Sequence, residues 1–518
     1  MRVLAVGIVA ALVARGALGA DGGARSPDRG ARALAGRIDA RLDALWSAAN
    51  ARPWAVADDG EFLRRASLDL VGKVPTAAEA RDFLDDPDPG KRAALVDRLL
   101  ESPAYAARAA LLWRQLLLPE ADSGNAVAPG GLEAWLRKKV AESTGDDRIV
   151  REVLTARLGG DASNGVAAAS AEPSPAAFFA ARGGKPETLA GDTARAFLGL
   201  RVECAQCHNH PFAKWKREEF WGFAAFFAGV PRQADDVMTA RVSKEDPARR
   251  SLTIPGTSTV VDAAHLDRSP PDWRPRAGTR DTLAEWITAP GNPYFARAAV
   301  NRTWARLFGV GLIDPVDDLD AEGHPALTAL LQEVAEAFRQ GGYDQRSLIR
   351  ALMATRAYNL SSAADPSSSA SSAPFARMPV RGLSPAQLAD SLEQVTGVSL
   401  GEGRARFQEL FAERNVSPTE SQTSILQALT LMNGGFLNGA TRPETGDVIG
   451  AIAEAPYLDT AGRVEMVYLA ALTRRPRAAE MSLVTRYIDR REGESDRARA
   501  LSDVFWALLN GPEFRTNH

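Results

Sequence analysis

Cysteine is scarce in this chain: two residues in 518 are too few for the disulfide framework that stabilises many small secreted domains. Histidine is scarce as well, with five residues, so base-assisted catalysis has few positions available. Neither sign of charge dominates, because 62 basic residues face 65 acidic ones and the net charge is −3. The composition therefore gives no argument for a nucleic-acid partner or for binding to an anionic membrane surface.

Long apolar runs are missing outside the first twenty residues. Arg2 precedes an apolar segment at 3–14, and the small residues at 17–20 are followed by the polar Asp21. This order is typical of a secretory signal peptide at 1–20, and the apolar run is shorter than the ~20 residues that a membrane helix needs. An uncleaved N-terminal anchor is the alternative. We expect an exported protein, periplasmic or extracellular, with no integral membrane segment after cleavage.

Both cysteines lie in one pentapeptide, Cys204-Ala205-Gln206-Cys207-His208. In a C-x-x-C-H motif the two thiols can add to the vinyl groups of a haem, while the adjacent imidazole ligates the iron. Covalent attachment of haem takes place outside the cytoplasm, so the motif and the export signal agree. The pentapeptide predicts haem c, held through thioethers by Cys204 and Cys207, with His208 as the proximal ligand.

The sixth ligand of such an iron is not assigned by the sequence. His210 lies too close along the chain to reach the opposite face of the same ring. Met238, His265, His324 and Met432 are candidates by chemistry alone. An iron without a sixth ligand would favour redox or small-molecule chemistry over pure electron transfer.

Two other interpretations of the pentapeptide stay open. Zinc could bind Cys204 and Cys207 together with His208 or His210, although structural zinc sites usually draw a second ligand pair from a distant segment. The two cysteines could instead form a disulfide turn, because exported cysteine pairs oxidise.

An aromatic block follows the pentapeptide. Aromatic residues make up 7% of the chain, yet seven lie within sixteen positions. They are Phe212, Trp215, Phe220, Trp221, Phe223, Phe226 and Phe227. One interpretation is an apolar wall for the haem, and the other is an ordinary helix that buries phenylalanine in the core.

The apolar spacing along the chain predicts a mainly α-helical protein with two helical domains, at 31–230 and 280–516. An irregular, partly β connector joins them at 231–279, where proline, threonine, valine and serine dominate. The second domain contains an insertion at 361–374 that is nearly all serine, alanine and proline.

Several helix ends are marked by residues of known capping chemistry. Thr76 and Glu79 form a capping box, and Ser102 followed by proline starts another helix. Asn292 is placed to cap a helix that ends at Gly309.

Long ordered motifs make the chain resemble a known family. The segments are 58–76, which includes DGEFLRRASLDL, the region 197–215 around the pentapeptide, and 292–318, 427–433 and 507–518. They are similar to the exported planctomycete proteins built from two domains of unknown function, 1549 and 1553, the first of which is described as cytochrome c-like. The resemblance implies an exported location and points to a redox or polysaccharide-related role.

The leading hypothesis is an exported c-type haem protein with an electron-transfer or redox role and an unidentified redox or exported partner protein. The alternative is a non-haem secreted scaffold or binding protein, with a disulfide or zinc at the pentapeptide, that is linked to polysaccharide processing. The sequence identifies no catalytic pair, so it leaves open whether the protein is an enzyme.

Overall fold

The computed structural model describes residues 27–119, 130–158, 174–209, 214–231, 245–363, 373–412 and 425–518. The signal peptide predicted at 1–20 lies outside these ranges, as does most of the insertion at 361–374. Within them the chain is mainly α-helical, which confirms the predicted fold class. None of the described helices combines the length and the apolar character needed to cross a membrane.

The first half consists of short helices joined by tight connections. They are α1 Pro27–Ala48, α2 Asp59–Leu70, α3 Ala77–Asp85, α4 Lys91–Glu101, α5 Pro103–Leu117, α6 Gly130–Ala141, α7 Asp146–Leu154, α8 Ala177–Ala180, α9 Pro186–Thr193 and α10 Arg217–Ala224. A π-helical turn at Ala194–Leu198 continues α9, and 3-10 turns lie at Glu203–Gln206 and Ala225–Phe227.

The second half is also helical. It contains α11 Thr279–Ile287, α12 Phe295–Phe308, α13 Pro325–Gln340, α14 Gln345–Met353, α15 Pro385–Thr396, α16 Arg404–Phe411, α17 Ile425–Asn433, α18 Gly435–Ala440, α19 Asp447–Glu454, α20 Thr460–Leu472, α21 Ala478–Asp489 and α22 Glu494–Asn510, with a 3-10 turn at Gly401–Gly403.

Two small antiparallel sheets accompany the helices. Strand β1, Ser251–Thr253, pairs with β2, Val260–Asp262, and Leu252 lies opposite Val261. These strands lie in the predicted connector, where the sequence indicated short β segments. Strand β3, Arg381–Gly382, pairs with β4, Thr516–Asn517, so the end of the chain lies beside the start of α15.

The predicted helix-end signals at Thr76, Ser102 and Gly309 are confirmed. Thr76 Oγ1 accepts a hydrogen bond from the Glu79 amide, and the Glu79 carboxylate accepts one from the Thr76 amide, at 3.2 and 2.9 Å. Ser102 Oγ accepts from the amide of Tyr105 at 3.1 Å. Gly309 ends α12 in the left-handed region, with φ 81°, a conformation that glycine adopts without steric cost. At the start of α12 the N-cap residue is Tyr294, and Asn292 Oδ1 accepts hydrogen bonds from the amides of Tyr294 and Phe295 at 2.9 and 3.0 Å.

The connection before α9 differs from the expected loop. The segment 159–186 is rich in glycine, alanine, serine and proline, a composition that predicts mostly loop, and 159–173 lies outside the described residues. The remainder holds the single helical turn α8, in which Phe178 and Phe179 are buried. These two aromatic side chains supply the apolar contact that holds a four-residue helix, because so short a helix is not stable by itself.

Two hydrophobic cores hold the elements together. The larger one draws side chains from positions between Ala31 and Met378, together with Leu469, so it includes helices on both sides of the connector. In it α1 packs on α13 and α14. The smaller core joins Leu68 and Val74 to the helices from α15 onward. The two predicted helical domains thus share their apolar interiors, and their boundaries remain a prediction.

Helix α2 connects the two cores through buried charged side chains. Arg64 Nη2 donates to the carbonyl of Phe514 at 2.6 Å, and Arg65 Nη1 donates to the carbonyl of Tyr358, also at 2.6 Å. Asp69 accepts hydrogen bonds from the Tyr358 hydroxyl and from Asn517 Nδ2, both at 2.8 Å. The conspicuous RRASLD segment therefore fastens the chain's end and the Tyr358 region onto one helix.

Candidate functional site around Cys204 and His208

The pentapeptide follows a backbone reversal at Gly199. The π-helical turn 194–198 ends at this glycine, which has φ 63° in the left-handed region. A Cβ atom at Gly199 would lie 3.1 Å from the Cβ of Ala298 and 3.1 Å from the Cγ of Leu319, so the two halves of the molecule meet tightly here. Arg302 Nη1 of α12 also donates to the carbonyl of Ala196 at 2.6 Å. The approach to the pentapeptide is therefore fixed by α12.

The 3-10 turn at Glu203–Gln206 directs the two cysteines outward. Ala205, between them, is fully buried, and its amide donates to the carbonyl of Val202 at 2.9 Å. Cys204 and Cys207 are both exposed, and neither forms a disulfide. Two exposed thiols on one short turn are accessible to a reagent or a prosthetic group from the solvent side.

Helix α10 supports the pentapeptide from beneath. Trp221 Nε1 donates to the carbonyl of Gln206 at 3.0 Å, and Arg217 Nε approaches the same oxygen at 3.4 Å. The amide of Arg217 donates to Asn209 Oδ1 at 3.0 Å. The aromatic block is thus connected to the cysteine turn by one indole hydrogen bond.

His208 is exposed, and one of its ring nitrogens forms a hydrogen bond with the backbone. Its Nδ1 lies 2.7 Å from the carbonyl oxygen of Asn209. Because a carbonyl oxygen can only accept, Nδ1 carries the proton in this hydrogen bond. In the neutral ring Nε2 then has a free lone pair, which is the tautomer that a metal-ligating histidine with a backbone acceptor adopts.

The aromatic rings near the pentapeptide lie in the core. Phe220, Phe223, Phe226 and Phe227 are essentially inaccessible to solvent. Phe223 contacts Phe226 and Trp286 edge to face, with centroids 6.3 and 6.2 Å apart. Phe227 contacts Phe179, and Phe226 contacts Trp273. Of the two interpretations of this block, burial in the core describes these rings, and Phe212 lies outside the described residues.

His265, one of the candidate sixth ligands, lies inside this aromatic cluster. Its ring stacks on Phe226 and on Trp286, with centroid distances of 5.2 and 4.6 Å. Its Nδ1 lies 3.0 Å from Ser269 Oγ, and burial lowers the pKa of the imidazole. Both faces of this ring are covered by aromatic side chains, which places His265 in the core.

The other candidate ligands have different surroundings. His324 caps α13, where its Nδ1 accepts a hydrogen bond from the Ala326 amide at 3.2 Å. Met432 in α17 is largely exposed. Neither makes a described hydrogen bond with the pentapeptide. His210 and Met238 lie outside the described residues.

The described ranges, which leave out His210, bring together no group of three histidine, cysteine or acidic side chains that could hold a metal ion. Zinc at Cys204, Cys207 and His208 or His210 stays a prediction. The residues present fit haem attachment in two respects: the thiols are free and accessible, and His208 Nε2 is available. The described core phenylalanines do not form the apolar wall that one of the two interpretations placed beside the haem.

A buried carboxyl group that the sequence did not single out lies elsewhere, at the start of α7. Asp146 lines a cavity of about 300 Å³ together with Tyr105, Trp113 and Phe295. Gln345 Nε2 donates to Asp146 Oδ2 at 2.7 Å. Burial raises the pKa of Asp146 to about 7, and the Gln345 hydrogen bond offsets only part of this effect. In the sequence this residue resembled an ordinary acidic helix start, and only its burial distinguishes it.

Two family models match the chain in order. Residues 37–232 match PSCyt2, described as a protein of unknown function (DUF1549), and residues 279–413 match PSD1, described as a protein of unknown function (DUF1553). The chain thus carries a PSCyt2 domain followed by a PSD1 domain, as its sequence motifs predict. No curated protein and no solved structure matches it.

The PSCyt2 segment contains the whole cysteine turn and helix α10, whereas α12 and Asn292 belong to the PSD1 segment. The Asp146 cavity lies between them, because Tyr105 and Trp113 come from the first segment and Phe295 and Gln345 from the second. Packing across the two segments therefore shapes both the entry to the pentapeptide and this cavity.

Proposed function

We propose that this PSCyt2–PSD1 protein is an exported c-type haem protein with an electron-transfer or redox role. Cys204 and Cys207 would hold the haem through thioethers, and His208 would ligate its iron. The observation that carries the proposal is the state of His208, whose Nδ1 proton is donated to Asn209 and whose Nε2 is free beside two accessible thiols.

A bound haem would supply one-electron redox chemistry. The residues of this chain would hold the haem in place and adjust the ligand strength of His208. The Nδ1 hydrogen bond to Asn209 fixes the tautomer of His208 and increases the basicity of Nε2. The Trp221 hydrogen bond to Gln206 holds the turn between the thiols in place. Because the turn is exposed, the residues that would hold the haem are accessible to a partner protein.

The test is expression of the full chain with its own N-terminus in cells that contain haem-maturation enzymes. Haem staining after denaturing electrophoresis reports covalent attachment, and the visible spectrum reports ligation. The wild type should stain, and Cys204→Ser with Cys207→Ser should not. His208→Ala should change the visible spectrum, and Tyr457→Ala, at a side chain that is 82% exposed, is the control and should leave the spectrum unchanged. Unstained wild-type protein under these conditions would refute the proposal.

A second candidate is a non-haem scaffold in which the cysteine pair forms a disulfide or binds zinc. The burial of Phe220, Phe223, Phe226 and Phe227 favours it, because these rings complete the core without a prosthetic group. Thiol counting and elemental analysis of the exported protein distinguish its two forms. Two titratable thiols after haem-free purification exclude the disulfide, and a stoichiometric zinc content supports the metal form.

A further inference from the structure

A second cavity, of about 360 Å³, contains an excess of positive charge. It lies between α5, α12, α15 and the end of the chain. Four arginines line it: Arg108 from α5, Arg306 from α12, Arg381 from β3 and Arg515 just before β4. Asp69 is its one acidic lining residue among those that the structure describes. We call this space the arginine cavity.

The carboxylate of Asp69 already has three hydrogen-bond partners, one of which is an arginine. Its Oδ2 accepts from Arg381 Nη2 at 3.0 Å and from the Tyr358 hydroxyl at 2.8 Å. Its Oδ1 accepts from Asn517 Nδ2 at 2.8 Å. One carboxylate therefore neutralises one arginine, Arg381, and leaves the other three lining arginines without a counter-charge from the cavity wall.

Arg108, Arg306 and Arg515 form no ion pair with any acidic side chain in the described ranges. Asp390 is close enough to influence Arg108, but its carboxylate is paired with Arg404. Burial lowers the pKa of Arg108 to about 10, and the positive charge of Arg306 contributes to that lowering. Burial alone lowers the pKa of Arg515. Arg108 and Arg306 thus lie close enough to influence each other, and Arg515 lines the same cavity, while none of the three has an ion-pair partner among the described residues.

The hydrogen-bonding state of these arginines points to a missing partner. The Nε–H groups of Arg108, Arg306, Arg381 and Arg515 are all buried without an acceptor. Buried donors in folded proteins are almost always satisfied, because an unsatisfied donor loses its hydration without replacement. Orphaned Nε–H groups occur elsewhere too, on Arg297 and Arg463, but four of them lie in the wall of this one cavity. The terminal nitrogens of Arg108, Arg306 and Arg515, which have no acceptor among the described residues, are the donors that an acceptor-rich ligand would contact.

We propose that the arginine cavity binds a phosphate or sulfate monoester of a small organic molecule. Guanidinium groups recognise such tetrahedral oxyanions through paired, charge-assisted hydrogen bonds. The volume of about 360 Å³ lies in the range of small-molecule sites. Leu112, Leu388 and Phe411 give the cavity an apolar side for the organic part.

The Asp146 cavity lies next to the arginine cavity. Leu112 and Arg306 line this cavity as well as the Asp146 cavity of about 300 Å³. The two spaces therefore adjoin at these residues, and Tyr105 and Trp113 provide aromatic surface on the far side. The anion would lie at the four arginines, and the organic part would lie against Leu112, Leu388 and Phe411 of the same cavity.

The binding experiment uses isothermal titration of the full chain with inorganic phosphate, inorganic sulfate, 4-nitrophenyl phosphate and 4-nitrophenyl sulfate. Sodium chloride keeps the ionic strength equal in all four titrations. We expect saturable binding of at least one ester, tighter than that of its inorganic anion, and weaker binding at higher salt. No saturable binding would overturn the proposal, and binding of the inorganic anions alone would overturn the ester class.

Variants separate binding from folding. Arg108→Gln and Arg515→Gln should each weaken ester binding by about tenfold or more, because each removes charge-assisted hydrogen bonds. Their unliganded melting temperatures should stay equal to that of the wild type or rise, since an uncompensated buried charge is removed. Arg515→Lys should retain part of the affinity. Arg499→Gln, at an exposed pair with Asp496, is the control and should bind like the wild type. Unchanged affinity in both cavity variants would refute the assignment.

Discussion

Trp221 donates its indole hydrogen to the carbonyl oxygen of Gln206, within the C-x-x-C turn, at 3.0 Å. This bond joins the buried aromatic cluster to an exposed dithiol. The carbonyl between the cysteines thereby has a fixed orientation, and with it the turn that presents both sulfurs. A functional group at the surface is in this way held by a side chain of the core.

Trp221→Phe should loosen the cysteine turn. Phenylalanine keeps most of the apolar contact but cannot donate to Gln206, and a lost hydrogen bond of this kind lowers the free energy of unfolding by about 1 kcal/mol. We expect faster alkylation of Cys204 and Cys207 by iodoacetamide, followed by mass spectrometry. Trp215→Phe is the matched control, because no described group accepts a hydrogen bond from its ring. Equal alkylation rates in the two variants would contradict this role of Trp221.

The thiols of Cys204 and Cys207 should react in the folded protein. Both are exposed and free, so a native, reduced and haem-free sample should give two equivalents with a disulfide reagent such as dithionitrobenzoate. Addition of denaturant should not increase the number. A native count below two that rises on unfolding would show that the turn is covered. A haem-stained sample should give no reactive thiol.

Asp69→Asn should destabilise the whole chain. Asp69 accepts from Tyr358, Arg381 and Asn517, and it is buried. An asparagine would leave Arg381 without its counter-charge, and its NH2 group would face the donors that Asp69 accepts from. We expect the free energy of unfolding to fall by about 3–5 kcal/mol. Urea unfolding followed by circular dichroism measures it. Asp496→Asn, in an exposed pair, should change it by about 1 kcal/mol or less, and a similar small effect at Asp69 would be inconsistent with its central position.

Asp146 should make stability depend on pH. Burial raises the pKa of its carboxyl group from 3.8 to about 7, so the folded chain binds a proton more tightly than the unfolded chain does. The stabilisation is complete below pH 4 and is lost as the pH rises through 7, because ionisation then favours unfolding. A tenfold difference in proton affinity between the folded and unfolded chains corresponds to about 1.36 kcal/mol, so the whole effect amounts to a few kcal/mol.

Asp146→Asn removes that titration. Between pH 5 and pH 8 the free energy of unfolding of the wild type should fall relative to that of Asp146→Asn, because only the wild type has a carboxyl group that ionises here. Unfolding by guanidinium chloride at the two pH values measures this change. The difference between variant and wild type at pH 5 serves as the reference, because the altered hydrogen bond with Gln345 is present at both pH values. A difference that does not change with pH would show that Asp146 does not titrate in this range.

Local sequence signals were sufficient for most helices. The capping box at Thr76, the serine–proline start at 102 and the left-handed Gly309 act within a few residues, so their consequences are visible without tertiary structure. The single turn α8 was missed, because its stability depends on burying Phe178 and Phe179 against distant elements. The cysteine turn was found by its motif, whereas the direction of its thiols depends on the burial of Ala205.

The sequence by itself determined the helical class, the family and the pentapeptide, since periodicity, capping chemistry and motif spacing are properties of neighbouring residues. Only the tertiary structure decided that the aromatic rings lie in the core, that Asp146 is buried, and that Arg108, Arg306, Arg381 and Arg515 surround one cavity. The arginines are far apart along the chain, and nothing local distinguishes them from the chain's many surface arginines. The burial of Asp146 and the grouping of the four arginines arise from packing, because packing brings together residues that are far apart in the sequence.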